Sequence, residues 1–225
     1  MRVRRSRWPT ATPYGRIAWE QLRAPAALRQ ERVDVVHAMA FVAPLWAACP
    51  TVVTVLDLSF LRFPMAFKAF NRVYLRTMTR ISARRATRVI AISESTRQDV
   101  ISLLGVPADR VERVYCGVGP GFGPLPSAEV EAFRQRKGLP DRFVLFLGTL
   151  EPRKNVETLV QAFAERIAAA PRATGSRAVG DVHLVIAGGR GWLADTVFSR
   201  VEELAVQDRV HFVGYVPEEE KPLWY

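Results

Sequence analysis

Cysteine is scarce: the 225 residues hold two, Cys49 and Cys116. They form no CxxC pair and no metal-ligand spacing, which leaves no disulfide framework and no zinc module to read. Both are expected to be reduced, buried structural thiols of a cytoplasmic protein. There is no P-loop Gly-Lys-Ser/Thr, no HExxH and no DxD pair. These gaps give no support to a P-loop NTPase, a zinc hydrolase or an aspartate-held metal, and no metal or other cofactor is expected. The basic start MRVRRSRWPTATP has no apolar stretch behind it, so a secretory leader is not expected. A long uncharged run does occur at residues 35–56, counting His37 as neutral. Pro44 and Pro50 interrupt it, and it reads as two buried strands joined by a loop, not a bilayer span.

What is present in excess is positive charge, and it is lopsided. The formal net charge is +10. Residues 1–115 carry 19 Lys/Arg against 8 Asp/Glu, a surplus of 11, whereas residues 116–225 carry 13 against 14. A basic first half and a neutral second half suggest that the first half meets an anionic partner. A nucleic-acid module is not expected, because no known motif of that kind accompanies the charge.

Apolar, β-branched runs fall at residues 33–37, 51–56, 88–92 and 111–115, then at 143–147, 182–187 and 209–213. Helical periodicity fills the intervals at 16–31, 66–86, 94–104, 126–137, 155–169 and 193–206. Alternation of near-continuous apolar strands with helices predicts an α/β fold of parallel sheets covered by helices. Glycines and prolines crowd residues 115–126, predicting a junction between a first domain at 1–118 and a second at 119–225. The glycines there do not make a dinucleotide fingerprint, since Phe122 stands where G-x-G-x-x-G needs its third glycine. Residues 171–181 read as a second polar loop.

The most informative corner is GTLEPRKN, residues 148–155, between a strand and a helix. Asn155 suits the N-cap, which sets Arg153 and Lys154 beside the positive end of a helix dipole. Two cations there suit a bound phosphate or diphosphate, although an exposed basic loop is the plainer alternative. A second corner, AGGRGW, puts Gly188 and Gly189 after another strand, where a ligand approaches backbone closely. In the first half, Asp57 follows the strand at 51–56 and His37 ends the one before it, both on the ligand side, as substrate contacts or as loop and capping groups. Ser93 reads as a helix N-cap. On the helix at 66–86, Lys68, Arg72, Arg76, Arg80 and Arg84 recur at every fourth residue. Phe67, Phe70, Tyr74, Met78 and Ile81 take another face, expected to be the core side of a solvated helix or to rest on anionic lipid.

Taken together, VVTVLDLSFLRFP (52–64), FNRVYLRTMTRISARRATRVIAISESTRQDV (70–100) and GTLEPRKNVETLVQAF (148–163) resemble the family 4 glycosyltransferases of GT-B fold. DRVERVYCGVGPGF (109–122) and DRVHFVGYVP (208–217) extend the likeness. The resemblance implies two Rossmann-like domains facing across a cleft and a retaining transfer from a nucleotide-sugar to a glycan or lipid-linked sugar. It implies that Arg153 and Lys154 hold the donor diphosphate, that Gly148, Thr149, Gly188 and Gly189 line the donor, and that His37 and Asp57 lie on the acceptor side. Many relatives carry arginine where Thr149 stands and histidine where Leu56 stands. The family's early glycine-rich loop and its E-x7-E motif have no counterpart here. Glu218, Glu219 and Glu220 do not replace that motif. Both domains are therefore expected to be incomplete, and the chain alone to be unstable and inactive. A cytoplasmic place, peripheral on the inner membrane face, is expected, with a non-catalytic remnant or anion-binding module as the alternative.

Overall fold

The computed structural model describes residues 8–168, 182–192 and 194–225. The polar loop expected at 171–181 lies outside the described residues. The chain divides into two compact units, Met1–Gly117 and Val118–Tyr225.

In the first unit, β1 (Val36–Ala38), β2 (Thr51–Val55), β3 (Arg88–Ala91) and β4 (Val111–Arg113) form one sheet in that order, every pair parallel. The run TVVTV of β2 is wholly β-branched, which favours the pleated conformation and packs well against neighbouring strands. Val53 faces Val89, and Val89 faces Val111. All three are buried among Val55, Phe60, Val100 and Leu104. Each such side chain stabilises the fold by roughly 1.5–3 kcal/mol relative to exposure. The helices here are α1 (Pro13–Ala18), α2 (Ala24–Gln30), α3 (Ser59–Arg62), α4 (Ala69–Arg85) and α5 (Glu94–Leu104). Helix ends leave backbone groups without intrahelical partners. Ser93 caps α5 as expected, its hydroxyl accepting from Thr96 N at 3.1 Å. At the other end Gly105 turns left-handed, and Arg84 Nε donates to Leu104 O at 2.7 Å. Arg110 does the same for α4, donating to the carbonyls of Arg84 and Ala86.

Two expectations fail in this unit. The buried face of α4 is Thr79, Ser82 and Ala83; of the expected row, Phe67 packs on the core, Tyr74 and Met78 are half-buried, and Phe70 and Ile81 are exposed. Small side chains let the helix approach closely: the Ser82 hydroxyl accepts from Ala43 N at 3.1 Å. Neither cysteine is buried; both are free, Cys49 half-buried and Cys116 exposed. A further departure from regularity is a π-helical turn, Trp19–Arg23, between α1 and α2. It carries Glu20, whose Oε1 is buried without a hydrogen-bond partner. Burial pushes that carboxyl above its ordinary range, with Arg16 pulling partly the other way. The neighbouring Tyr74 phenol is pushed up to about 12, by burial first and by Glu20 second. A group whose folded pKa is raised contributes fully below its unfolded value and loses that contribution as pH rises through the folded one. Glu20→Gln should therefore raise the melting temperature at about pH 7 by a few degrees and change it little near pH 4. Melting curves at the two pH values check this, and a lower melting point at neutral pH would contradict it.

In the second unit, β5 (Phe143–Leu147), β6 (His183–Ala187) and β7 (Val210–Gly214) form a parallel sheet in chain order. Successive residues of β6 face opposite ways. Leu184 and Ile186 pack with Val160 of α7 (Val156–Ala168) and Val201 of α8 (Asp195–Glu203). Val185 and Ala187 pack on the other face with Phe133 of α6 (Ser127–Arg136) and Trp224 of α9 (Lys221–Trp224). Burial on both faces explains why HLVIA reads as a continuous apolar run, whereas at the sheet edge FVLFL is only partly covered and Val144 is exposed.

Candidate functional site

Both sheets are parallel, so their ligand-binding corners lie beyond the carboxyl ends of the strands. In the second unit two such corners are stitched together. Gly148 N donates to Ala187 O at 2.8 Å, Leu150 N to Gly189 O at 3.0 Å, and Gly191 N to Leu150 O at 3.0 Å. The last two bonds form an isolated parallel bridge between Leu150 and Arg190. The β5–β6 ladder thus continues into the loops, and Gly148, Thr149, Gly188 and Gly189 share one small surface. Gly188 has φ +149, and a Cβ there would lie 2.0 Å from Gly148 O. Its own N–H donates to Gly214 O at 2.6 Å, tying in the end of β7. Around Gly189 there is open space.

Arg153 and Lys154 close the β5 corner in a 3-10 turn, Pro152–Lys154, directly before α7. Their circumstances differ. Arg153 Nη2 is 2.6 Å from Glu151 Oε1, so one of the two cations already has an anion. Lys154 is exposed and has no ion partner among the described residues. Asn155 takes the position before the helix but in the left-handed region, φ +51, and its side-chain oxygen accepts the Thr158 hydroxyl at 2.8 Å. The first turn of α7 also carries Glu157, bonded to the Thr196 hydroxyl.

The two candidates of the first unit have local partners. His37 lies mid-strand, since β1 runs to Ala38, and its Nε2 is 2.8 Å from Thr54 Oγ1. Asp57 lies two residues beyond β2, and its Oδ1 accepts from Ser59 N at 2.8 Å and from the Ser59 hydroxyl. These are loop hydrogen bonds just ahead of α3, whose N-cap is Leu58. Nearby, Asp99 is buried and takes both arms of Arg62. That pair holds α3 to α5 and was not read from the sequence. Between α4 and the helices α3 and α5, Arg72, Arg76 and Arg80 line a groove of about 460 Å³ floored by Phe60, Leu61 and Leu104. Among the described residues no three His, Cys, Asp or Glu side chains gather into a metal cluster, and no helix is long and apolar enough to cross a membrane.

Two units, each a parallel sheet with helices packed on it, the second ending in interlocked glycine corners, define a Rossmann-like α/β architecture. Residues 1–121 match Glycosyltransferase Family 4, and residues 128–225 match Glycosyl transferases group 1. The chain belongs to the family 4 glycosyltransferases. It is 30% identical over 138 residues to the O-antigen chain mannosyltransferase B of Escherichia coli, covering 61% of this chain and 34% of that protein. It is 35% identical over 97 residues to the serotype-specific mannosyltransferase WbdA of Escherichia coli, covering 42% of this chain and 12% of the other. In fold it is similar to Anabaena HepE in complex with UDP-glucose, with TM-score 0.66 and 18% identity over 95% of this chain and 56% of that one. The chain therefore spans about a third or less of these curated relatives.

Proposed function

We propose that the chain forms part of an enzyme that moves a hexosyl group, with retention, from a nucleotide-sugar to a glycan or lipid-linked sugar in envelope or exopolysaccharide synthesis. The observation that carries this reading is the joined pair of corners after β5 and β6, with Lys154 unpaired beside them. Rigid backbone and an uncompensated cation suit a diphosphate. As the bond from the anomeric carbon to the diphosphate oxygen breaks, negative charge grows on that oxygen. Lys154 opposes it directly, and Arg153 does so once the donor draws it from Glu151. Gly148, Thr149, Gly188 and Gly189 form the floor under the donor. These side-chain cations do the work of a metal, so no metal is required. His37 and Asp57 belong to the acceptor side, where their local bonds orient them. The names of the relatives favour mannose among hexoses.

The test is to offer UDP- and GDP-hexoses with glycan and lipid-linked acceptors and to read the product's anomeric configuration by NMR. Net inversion, or turnover that proceeds without a nucleotide-sugar, would overturn the reading.

The acceptor reading places the protein in the cytoplasm, at the inner face of a membrane. Support comes from the groove that Arg72, Arg76 and Arg80 line along α4 and from Val73, exposed in the same lining. Reversing Arg72, Arg76 and Arg80 to Glu should weaken co-sedimentation with anionic vesicles at least tenfold, since each basic residue near such a surface contributes about 1 kcal/mol. Unchanged sedimentation would leave α4 an ordinary solvated helix.

A further inference from the structure

Arg190 stands between Gly189 and Gly191, and its backbone forms the bridge to Leu150. That register sets it against the corner after β5, next to the residue that follows Thr149. Its guanidinium carbon lies 4.5 Å from the ring centre of Phe198 on α8. Phe198 in turn packs on Phe212 of β7, with ring centroids 4.4 Å apart. No carboxylate pairs with Arg190 among the described residues.

An aromatic face holds a guanidinium in place without neutralising it. The planar group keeps its N–H donors around the rim, free for a bidentate contact with phosphate. Arg153, by contrast, spends part of its charge on Glu151 at 2.6 Å. Lys154 is unpaired but carries a flexible stem and no fork. Of the three cations at these corners, Arg190 is thus both preorganised and uncompensated.

We propose that Arg190 is a ligand of the donor diphosphate, delivered from the β6 corner by its bridge to Leu150 and held flat by Phe198. This rests on the diphosphate site proposed above.

Calorimetric titration of the 225-residue chain with inorganic pyrophosphate, and separately with UDP and GDP, tests the assignment. Arg190→Gln keeps a planar group over Phe198 and removes the charge. It should weaken pyrophosphate binding about tenfold, the usual loss for a hydrogen bond to a charged group, with an unchanged melting temperature. Arg190→Lys should recover part of that loss. If Lys154→Ala weakens binding while Arg190→Gln leaves it unchanged, Arg190 merely packs on Phe198 and the diphosphate site survives without it. If neither substitution changes the affinity, or the unaltered chain binds no pyrophosphate, the diphosphate site and the role of Arg190 fall together.

Discussion

Lys154→Ala should slow sugar transfer by roughly 10²–10³-fold at saturating donor, the effect of losing one preorganised donor to developing charge. The size follows from position. Lys154 ends the turn directly before α7 and has no counterion to release among the described residues. Its charge is therefore available to the leaving diphosphate without a prior exchange of partners. Arg153 must first leave Glu151, and Arg153→Ala should cost less. The check is kcat measured with saturating donor and acceptor in a preparation that turns over nucleotide-sugar. A near-unaltered kcat for Lys154→Ala would remove it from the reacting charges and leave it as a surface lysine.

Gly188→Ala should destabilise the second unit by about 3 kcal/mol or more, through steric overlap and backbone strain together. A Cβ there meets Gly148 O at 2.0 Å and Gly148 C at 2.6 Å, both backbone atoms. Neither can retreat easily, because Gly148 N is bonded to Ala187 O and Gly188 N to Gly214 O. The φ of +149 adds a conformation that side-chain-bearing residues rarely adopt. Gly189→Ala is the control, since a Cβ there meets nothing within 4 Å. Denaturant unfolding should show a large loss for Gly188→Ala and a small change for Gly189→Ala. Equal midpoints for the two would show that the corners are looser than their hydrogen bonds indicate.

The strands were legible because parallel sheets bury both faces. FVLFL at 143–147 became β5, and the split of residues 35–56 into two strands emerged as β1 and β2. Ser93 was legible because a cap is a local motif. The face of α4 was not, since periodicity sorts residues by polarity while the sheet selected Ser82 and Ala83 for size. The π-turn and its Glu20 also escaped, because an extra residue in one turn leaves no compositional mark. At the corners, the glycines and the two cations were read from GTLEPRKN and AGGRGW. Glu151 was visible two residues before Arg153 and could have been weighed as its partner. Arg190 was visible too, but its place beside Leu150 depends on the register between two loops 40 residues apart in number. Pairing of that kind is tertiary information.

The stitched corners also divide the surface into positions that can vary and positions that cannot. A side chain at Gly191 would meet Leu150 O at 2.5 Å, much as one at Gly188 would meet Gly148 O. Those two glycines are the seams that join the corners, and substitution there unpicks them. Gly189 opens onto empty space and Thr149 is exposed, so these two accept new side chains without disturbing the seams. Substitution thus has a narrow route through these corners: Gly188 and Gly191 stay glycine, and new side chains enter at Gly189 and Thr149.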